Sequence, residues 1–208
     1  MKKYISALLG ILLCVSLVGC SLGFDASAYV KACLDATTKG EVTEYAKITN
    51  TSEEDALATY NDIIESELKA LENYQITDEQ KEKFRTLFQD MYKNFSYEVG
   101  EATKNSDGSY TVPVTTKKLV AFDTLAADSQ SYITDYAKSH SSATTDELYK
   151  AIYDYMYDEI SANIKEAKYD GSETINVQVT RTDDNKYTIS EDSIEGLLSS
   201  MVDAENLQ

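Results

Sequence analysis

The chain has 208 residues, of which 36 are acidic and 19 basic, and its formal net charge is −17. A chain this acidic repels nucleic acids and anionic lipid headgroups, so we expect no DNA, RNA or other polyanion among its partners. The length fits one domain with a sizeable core, and a single proline leaves no proline-rich linker.

The N-terminus has the layout of an export signal. Lys2 and Lys3 precede an apolar run over 5–18, and the small residue Gly19 stands directly before Cys20. The run is shorter than the roughly 20 apolar residues that a membrane-spanning helix needs. The sequence therefore predicts a cleaved signal rather than a permanent span.

The end of this segment, Leu17-Val18-Gly19-Cys20, resembles the lipobox of bacterial lipoproteins. The resemblance implies that the Cys20 thiol takes a diacylglyceryl group with acyl chains such as palmitate, and that the chain is cut between Gly19 and Cys20. Two acyl chains hold a protein stably on a bilayer, whereas one holds it only marginally. The alternative is an ordinary secretory signal, although no A-x-A-like cleavage site is evident near Cys20.

These features define the expected mature protein. We predict a signal peptide over 1–19, a lipidated tether over 20–25 and a single domain over 26–208, anchored on the outer, extracytoplasmic face of the cell membrane. Without Lys2 and Lys3, 17 basic side chains face 36 acidic ones, so the mature formal charge is −19.

Cysteine usage is sparse. Cys14 leaves with the signal and Cys20 would be lipidated, so Cys33 is the one cysteine left and no intramolecular disulfide can form in the mature protein. Cys33 falls on the apolar face of a predicted helix, which favours a buried, unreactive thiol.

The first half of the domain is predicted to be helical. A helix begins near Ala26 and ends at Gly40, a residue suited to a C-terminal cap, and a short helix follows over 42–48. Thr51 with Glu54, and Thr77 with Gln80, match the capping box that starts a helix. Apolar stripes continue both helices: Leu57, Tyr60, Ile64, Leu68 and Leu71 in the first, and Phe84, Leu87, Phe88 and Met91 in the second.

The period then changes from helical to alternating, which predicts a β-hairpin. Its strands carry Phe95, Tyr97 and Val99 and then Tyr110, Val112 and Val114, with turn residues over 105–108. Pro113 cannot donate a ladder hydrogen bond, so we expect its strand to lie at a sheet edge or to be bulged there.

Two helices are predicted between this hairpin and the next. The first is weak and carries Leu125, Tyr132, Ile133 and Tyr136, with a break over 139–143. A capping box of Thr144 and Glu147 opens the second. Its apolar spacing is the strongest in the chain and includes Leu148, Tyr149, Ile152, Met156, Ile160 and Ile164. Because Tyr153, Tyr155 and Tyr157 widen the apolar face of this helix, we expect a sheet to cover it.

A second hairpin and a last helix complete the prediction. Ile175, Val177 and Val179 alternate, 183–185 supplies a turn, Tyr187 and Ile189 return, and a helix follows over 191–202. Hairpins separated by helices predict the α+β class, with an antiparallel sheet built from two β-hairpins packed against several α-helices.

A second resemblance concerns the first helix of the domain. Ala28, Tyr29, Ala32 and Ala36, followed by Lys39-Gly40-Glu41, resemble the opening of small Gram-positive lipoproteins of unknown function. The resemblance implies a cystatin-like or NTF2-like roll, whose curved sheet has a concave face. Such folds serve many functions, so the likeness fixes none of them.

Residues for common catalytic chemistry are missing from the pattern. His140 is the one histidine and no cysteine pair exists, which disfavours a zinc site. The segment 105–108 resembles part of a calcium loop, but Val114 stands where the bidentate glutamate belongs, so a hairpin turn explains it. We therefore expect no catalytic residues, no metal ligands and no cofactor, and predict that the protein is not an enzyme.

Tyrosine is the residue type that stands out, with 16 copies against no tryptophan. Tyrosine rings supply contact area at low conformational cost, so Tyr149, Tyr153, Tyr155 and Tyr157 form the candidate binding surface. Alternatively, most of these rings simply pack on the sheet with their hydroxyls at its rim. The leading hypothesis is a lipid-anchored, non-enzymatic module that binds another envelope component. The alternative is a lipoprotein that binds a solute or peptide in the concave face of a roll.

Overall fold

The chain forms the predicted α+β fold, in a computed structural model that describes residues 23–71, 76–182 and 186–202. Seven helices lie within these ranges. They are α1 (Ala26–Lys39), α2 (Thr43–Thr49), α3 (Glu53–Leu71), α4 (Asp78–Lys93), α5 (Leu125–Ser139), α6 (Thr145–Glu166) and α7 (Glu191–Met201). Within the same residues, no helix has both the length and the apolar composition to span a membrane.

Both predicted hairpins are present in one antiparallel sheet. Its strands are β1 (Ser96–Val99), β2 (Thr103–Lys104), β3 (Tyr110–Leu119), β4 (Tyr169–Arg181) and β5 (Tyr187–Ile189). Their order is β1-β3-β4-β5, with β2 beside β3. Strands β3 and β4 join the two hairpins across the centre of the sheet. The turn predicted at 183–185 lies outside the described residues.

The core lies on one face of this sheet. Val112 and Val114 of β3 pair with Val177 and Ile175 of β4, and both β3 valines and Val177 are fully buried. Helices α1 and α7 pack over this face. The opposite face is polar and partly exposed, which is the usual alternation in a sheet with one covered face.

Pro113 lies in a central strand, so the predicted edge position is wrong. Strand β3 is irregular between Thr116 and Lys118 and not at Pro113. Beside Pro113 it is the neighbouring strand that is interrupted, because β1 ends at Val99 and β2 begins only at Thr103. The Pro113 carbonyl accepts from the Gly100 amide at 2.8 Å, so the missing proline N–H faces the same interruption. A Cβ on Gly100 would lie 2.9 Å from Pro113 Cγ, which explains why glycine stands there.

Helix α6 is not covered by the sheet, and that prediction is also wrong. Its main contacts are with α4 and α5. Gln80 at the start of α4 donates to the Lys150 carbonyl at 3.1 Å, and the Phe84 ring meets the Tyr153 ring edge-on at 6.2 Å. The wide aromatic face of α6 is therefore shared between two neighbouring helices.

Two of the three predicted capping boxes are confirmed. Thr77 with Gln80 begins α4, and Thr144 with Glu147 begins α6. The box predicted for Thr51 is displaced by one residue, because the Ser52 hydroxyl accepts from the Asp55 amide at 3.0 Å. The predicted stripe of α3 is buried at Tyr60, Ile64 and Leu68, but at its start Leu57 is 44% exposed and Ala56 is buried instead.

The start of the domain is held in place by side-chain contacts. Gly40 ends α1 in the left-handed conformation, as predicted, and Cys33 is fully buried. Asp25 caps α1 by accepting from the Ala28 amide at 2.9 Å, and Phe24 packs on the core. Phe24 and Asp25 thus belong to the folded domain. Gly19 and Cys20 lie outside the described residues.

Candidate functional site

Helix α5 carries a stripe of aromatic rings on its surface. Tyr132, Tyr136 and His140 follow one another at a spacing of four residues, so their side chains are neighbours along one side of the helix. The Tyr132 and Tyr136 centroids are 6.0 Å apart, and the Tyr136 and His140 rings stack at 4.1 Å. His140 Nδ1 lies 3.1 Å from the Tyr136 carbonyl oxygen, which holds the imidazole over the tyrosine.

Helix α6 extends this stripe by one ring. Tyr155 stacks on Tyr132 at 4.3 Å with 13° between the ring planes. We call the set Tyr155, Tyr132, Tyr136 and His140 the aromatic ridge. His140 is exposed and the three tyrosines are half-buried, so the ridge keeps ring area for a partner.

The ridge contains one of the four tyrosines predicted as a binding surface. Around an α-helix, residues two apart point to nearly opposite sides, so Tyr155 cannot share a face with Tyr153 and Tyr157. The latter two pack edge-on against Phe84 of α4, and Tyr153 is buried. Tyr149, near the start of α6, is 43% exposed. The four rings are therefore divided among different surroundings.

Sequence reasoning missed Tyr132, Tyr136 and His140 as site residues. Their regular spacing on a helix with few other apolar positions was the available signal. It is informative because α5 buries Leu125 alone among its 15 residues. Rings spaced regularly on a helix that contributes so little to the core are better suited to recognition than to packing.

Carboxylates lie near both ends of the ridge, and Lys150 lies near Tyr136 between them. Burial raises the pKa of Tyr155, and the charges of Glu159 and Asp128 raise it further, so its hydroxyl stays neutral and able to donate. Beyond the end of the ridge, the Glu147 carboxylate is held by the Thr144 backbone amide at 2.8 Å, which lowers its pKa. Aromatic faces beside carboxylates favour a cationic ligand group over an anionic one.

A second unusual group is buried between α3 and α4. The Glu67 side chain is 4% exposed and its carboxylate accepts from the Tyr92 hydroxyl at 3.0 Å. Burial raises the pKa of Glu67 to about 7, although the Tyr92 hydrogen bond opposes the shift. The Tyr60 hydroxyl is buried and has no hydrogen-bond partner among the described residues. This cluster can take up a proton near neutral pH.

The other candidates from the sequence have structural explanations. Asn105 and Ser109 close a hairpin turn, in which the Asp107 carboxylate accepts from the Ser109 amide at 3.0 Å. Within the part of the chain that the structure describes, no group of three histidine, cysteine or acidic side chains could hold a metal ion. The helix-facing surface of the sheet, where a solute could bind in a roll, is filled by Val112, Val177 and their neighbours.

Comparisons with known proteins support the fold. No known family model matches the chain, and no curated protein matches it either. Among solved structures, the fold resembles the crystal structure of a proposed lipoprotein, ycdA, from Bacillus subtilis subsp. subtilis str. 168. The TM-score is 0.60 at 19% identity, and the match covers 86% of this chain and 56% of that chain. The chain thus spans little more than half of that protein, and the likeness concerns the fold alone.

Proposed function

We propose that this protein is a non-enzymatic lipoprotein of the cell envelope, held on the outer face of the membrane through Cys20, whose aromatic ridge binds a basic segment of another envelope component. The anchor is supported by the lipobox-like sequence that ends at Cys20 and by the structural likeness to a proposed lipoprotein. The packing of α1 and α7 over one face of an antiparallel sheet also favours a roll of the cystatin or NTF2 kind.

The observation that carries the binding proposal is the row of rings from Tyr155 to His140, in which the pairs at both ends are stacked and Tyr132 is tilted by 33° against Tyr136. A lysine or arginine over a free tyrosine face gains about 0.5–1 kcal/mol. Tyr132 and Tyr155 cover one face of each other and His140 covers one face of Tyr136, so a cationic side chain would bind the ring faces that the stacking leaves open. The carboxylates of Asp128 and Glu159 would pair with the same cationic side chains, which makes the interaction sensitive to salt.

The anchor is tested by the mass of the processed protein. A mature chain that begins at Cys20 and carries two or more acyl chains is the expected result, and Cys20→Ala should move the protein out of the membrane fraction. An unmodified Cys20 in the mature chain would contradict the proposed anchoring.

The ridge is tested by site-specific crosslinking in the cells that make the protein. A photo-reactive amino acid replaces Tyr149, which lies less than two turns before Tyr155, or Leu57 as a control of matched exposure. We expect a discrete crosslinked product at Tyr149 alone. Tyr136→Ala should abolish it, whereas Tyr136→Phe, which keeps the ring, should retain it. The same product at Leu57, or no effect of Tyr136→Ala, would refute the ridge as the binding surface.

A further inference from the structure

The point where the tether enters the domain is fixed by a cluster of aromatic rings. Phe24 stacks face to face on Tyr187 of β5, with centroids 3.7 Å apart and 2° between the planes. Tyr110 of β3 meets Phe24 edge-on at 5.5 Å, and the Tyr29 hydroxyl donates to the Tyr187 carbonyl at 3.2 Å. Phe24 is therefore bound to the sheet, not merely connected to α1.

The same end of the domain is reinforced beside this cluster. The Ser27 hydroxyl, in the first turn of α1, donates to the Gly100 carbonyl at 2.8 Å and accepts from the Ala102 amide at 2.9 Å. The start of α1 is thus tied to the connection between β1 and β2. The chain therefore enters the domain at a place that is held by ring contacts and hydrogen bonds to the sheet.

The rings of the cluster mark one end of the sheet. Tyr110 is the first residue of β3 and Tyr187 the first of β5, and these strands run parallel to each other on either side of β4. Beyond Tyr110 lies the turn over 105–109, and beyond Tyr187 the hairpin is closed by the Thr182 amide, which donates to the Lys186 carbonyl at 2.7 Å. We call this the turn end of the sheet.

The tether is too short to let the turn end move far from the anchor. Cys20 and Phe24 are four residues apart, and an extended chain covers at most about 3.3–3.6 Å per residue, so their Cα atoms are within about 14 Å of each other. The opposite end of the sheet is about 30 Å away from Tyr110, because β3 runs nine further residues at about 3.3 Å each to Leu119.

We propose that the turn end of the sheet, with the turn over 105–109 at its tip, faces the lipid bilayer and is the membrane-proximal surface of the protein. The inference rests on the proposed lipidation of Cys20. Acyl chains in the bilayer place Cys20 at the headgroup level, and the Phe24 stack then holds the turn over 105–109, together with Thr182 and Lys186, next to the headgroups. The β4 end at Tyr169 points away from the membrane.

Fluorescence quenching in vesicles tests this orientation. The lipidated protein carries a fluorophore on Asp107→Cys at the turn end, or on Lys168→Cys as the control, an exposed position next to the first residue of β4. Cys33 is fully buried and so does not compete for the label. The vesicles contain phosphatidylcholine and phosphatidylglycerol with a nitroxide on the headgroup. We expect several-fold stronger quenching at Asp107 than at Lys168.

A longer tether provides the second variant, and it leaves the fold untouched. About twelve glycine and serine residues inserted between Leu22 and Gly23 add a flexible segment with a mean span of about 20 Å. Quenching at Asp107 should then fall toward the level at Lys168. Phe24→Ala removes the stack on Tyr187 without lengthening the chain, and it should also lower the quenching at Asp107.

The outcomes separate the orientation from the anchor. Equal quenching at Asp107 and Lys168 in vesicle-bound, lipidated protein would overturn the orientation and leave the anchor intact. Unchanged quenching after the insertion would overturn the argument from tether length. If Cys20 carries no lipid and the protein does not bind vesicles, the proposed anchor fails, and the orientation fails with it.

Discussion

The buried carboxyl of Glu67 should make the protein less stable as the pH rises through neutrality. In the folded protein its pKa is about 7, against 4.5 for an exposed glutamate, because burial disfavours the charged form. Below pH 4.5 the Glu67 carboxyl is protonated in both the folded and the unfolded chain, so it does not lower the free energy of unfolding. Between the two values the unfolded chain has released the proton while the folded protein keeps it, so the free energy of unfolding falls with pH.

The size of the effect follows from the same values. A pKa difference of about 2.5 corresponds to about 3 kcal/mol, all of which is lost once the pH exceeds the folded-state pKa. Other carboxylates also titrate in this chain, so the informative quantity is the stability gap between the wild type and Glu67→Gln. The amide has nearly the same shape, still accepts from the Tyr92 hydroxyl and does not ionise.

The assay is urea unfolding of the unlipidated domain at several pH values. Between about pH 5 and about pH 8, the stability of Glu67→Gln relative to the wild type should rise by about 2–3 kcal/mol. Glu65→Gln is the matched control on the same helix. Glu65 is paired with Arg85, which lowers the Glu65 pKa, so its gap should stay flat over this range. A gap for Glu67→Gln that does not change with pH would refute the reasoning.

Three further predictions concern stability and are read from the same unfolding curves. Ser52→Ala should lower the free energy of unfolding by about 1 kcal/mol through the loss of a helix cap, and clearly more than Thr51→Ala. The reverse order would mean that Thr51 is the cap, as predicted from the sequence. Gly100→Ala should lower the free energy of unfolding by about 1–3 kcal/mol, because the new methyl group crowds the Pro113 ring. In the double variant, Pro113→Ala should restore most of this loss. If the effects of the two substitutions simply add, the clash is excluded. Tyr60→Phe removes a buried, unpaired hydroxyl and should leave stability unchanged or raise it by up to about 1 kcal/mol, whereas a clear loss would reveal a partner for that hydroxyl.

Features set by local sequence were predictable. The helices α4 and α6 begin at capping boxes whose two partners are three residues apart, and both boxes form as expected. Strand β3 over 111–117 and strand β4 over 175–179 alternate between more and less buried residues, so period and turn residues identified both hairpins. The cap predicted at Thr51 is formed by the neighbouring Ser52 hydroxyl instead. Thr51 and Ser52 can both accept from a helix amide, and the sequence pattern does not distinguish between them.

Features set by distant parts of the chain were not predictable. Pro113 is far from Asn176 in sequence, yet their pairing places β3 in the centre of the sheet. Nothing in the alternation of β3 states which strands flank it. The partner of α6 was misjudged for the same reason: a wide aromatic face indicates that something covers a helix, but a sheet and two helices satisfy it equally.

The aromatic ridge combines both situations. The spacing of Tyr132, Tyr136 and His140 is a local feature and could be read from the sequence. The stacking of Tyr155 on Tyr132 could not, because it requires α5 and α6 to pair. That pairing leaves α5 with one buried residue, so its contribution to the core is small and its rings remain available. A partner that covers the ridge would therefore add apolar contact where the fold itself has least, and would gain more there than at a helix already packed on both sides.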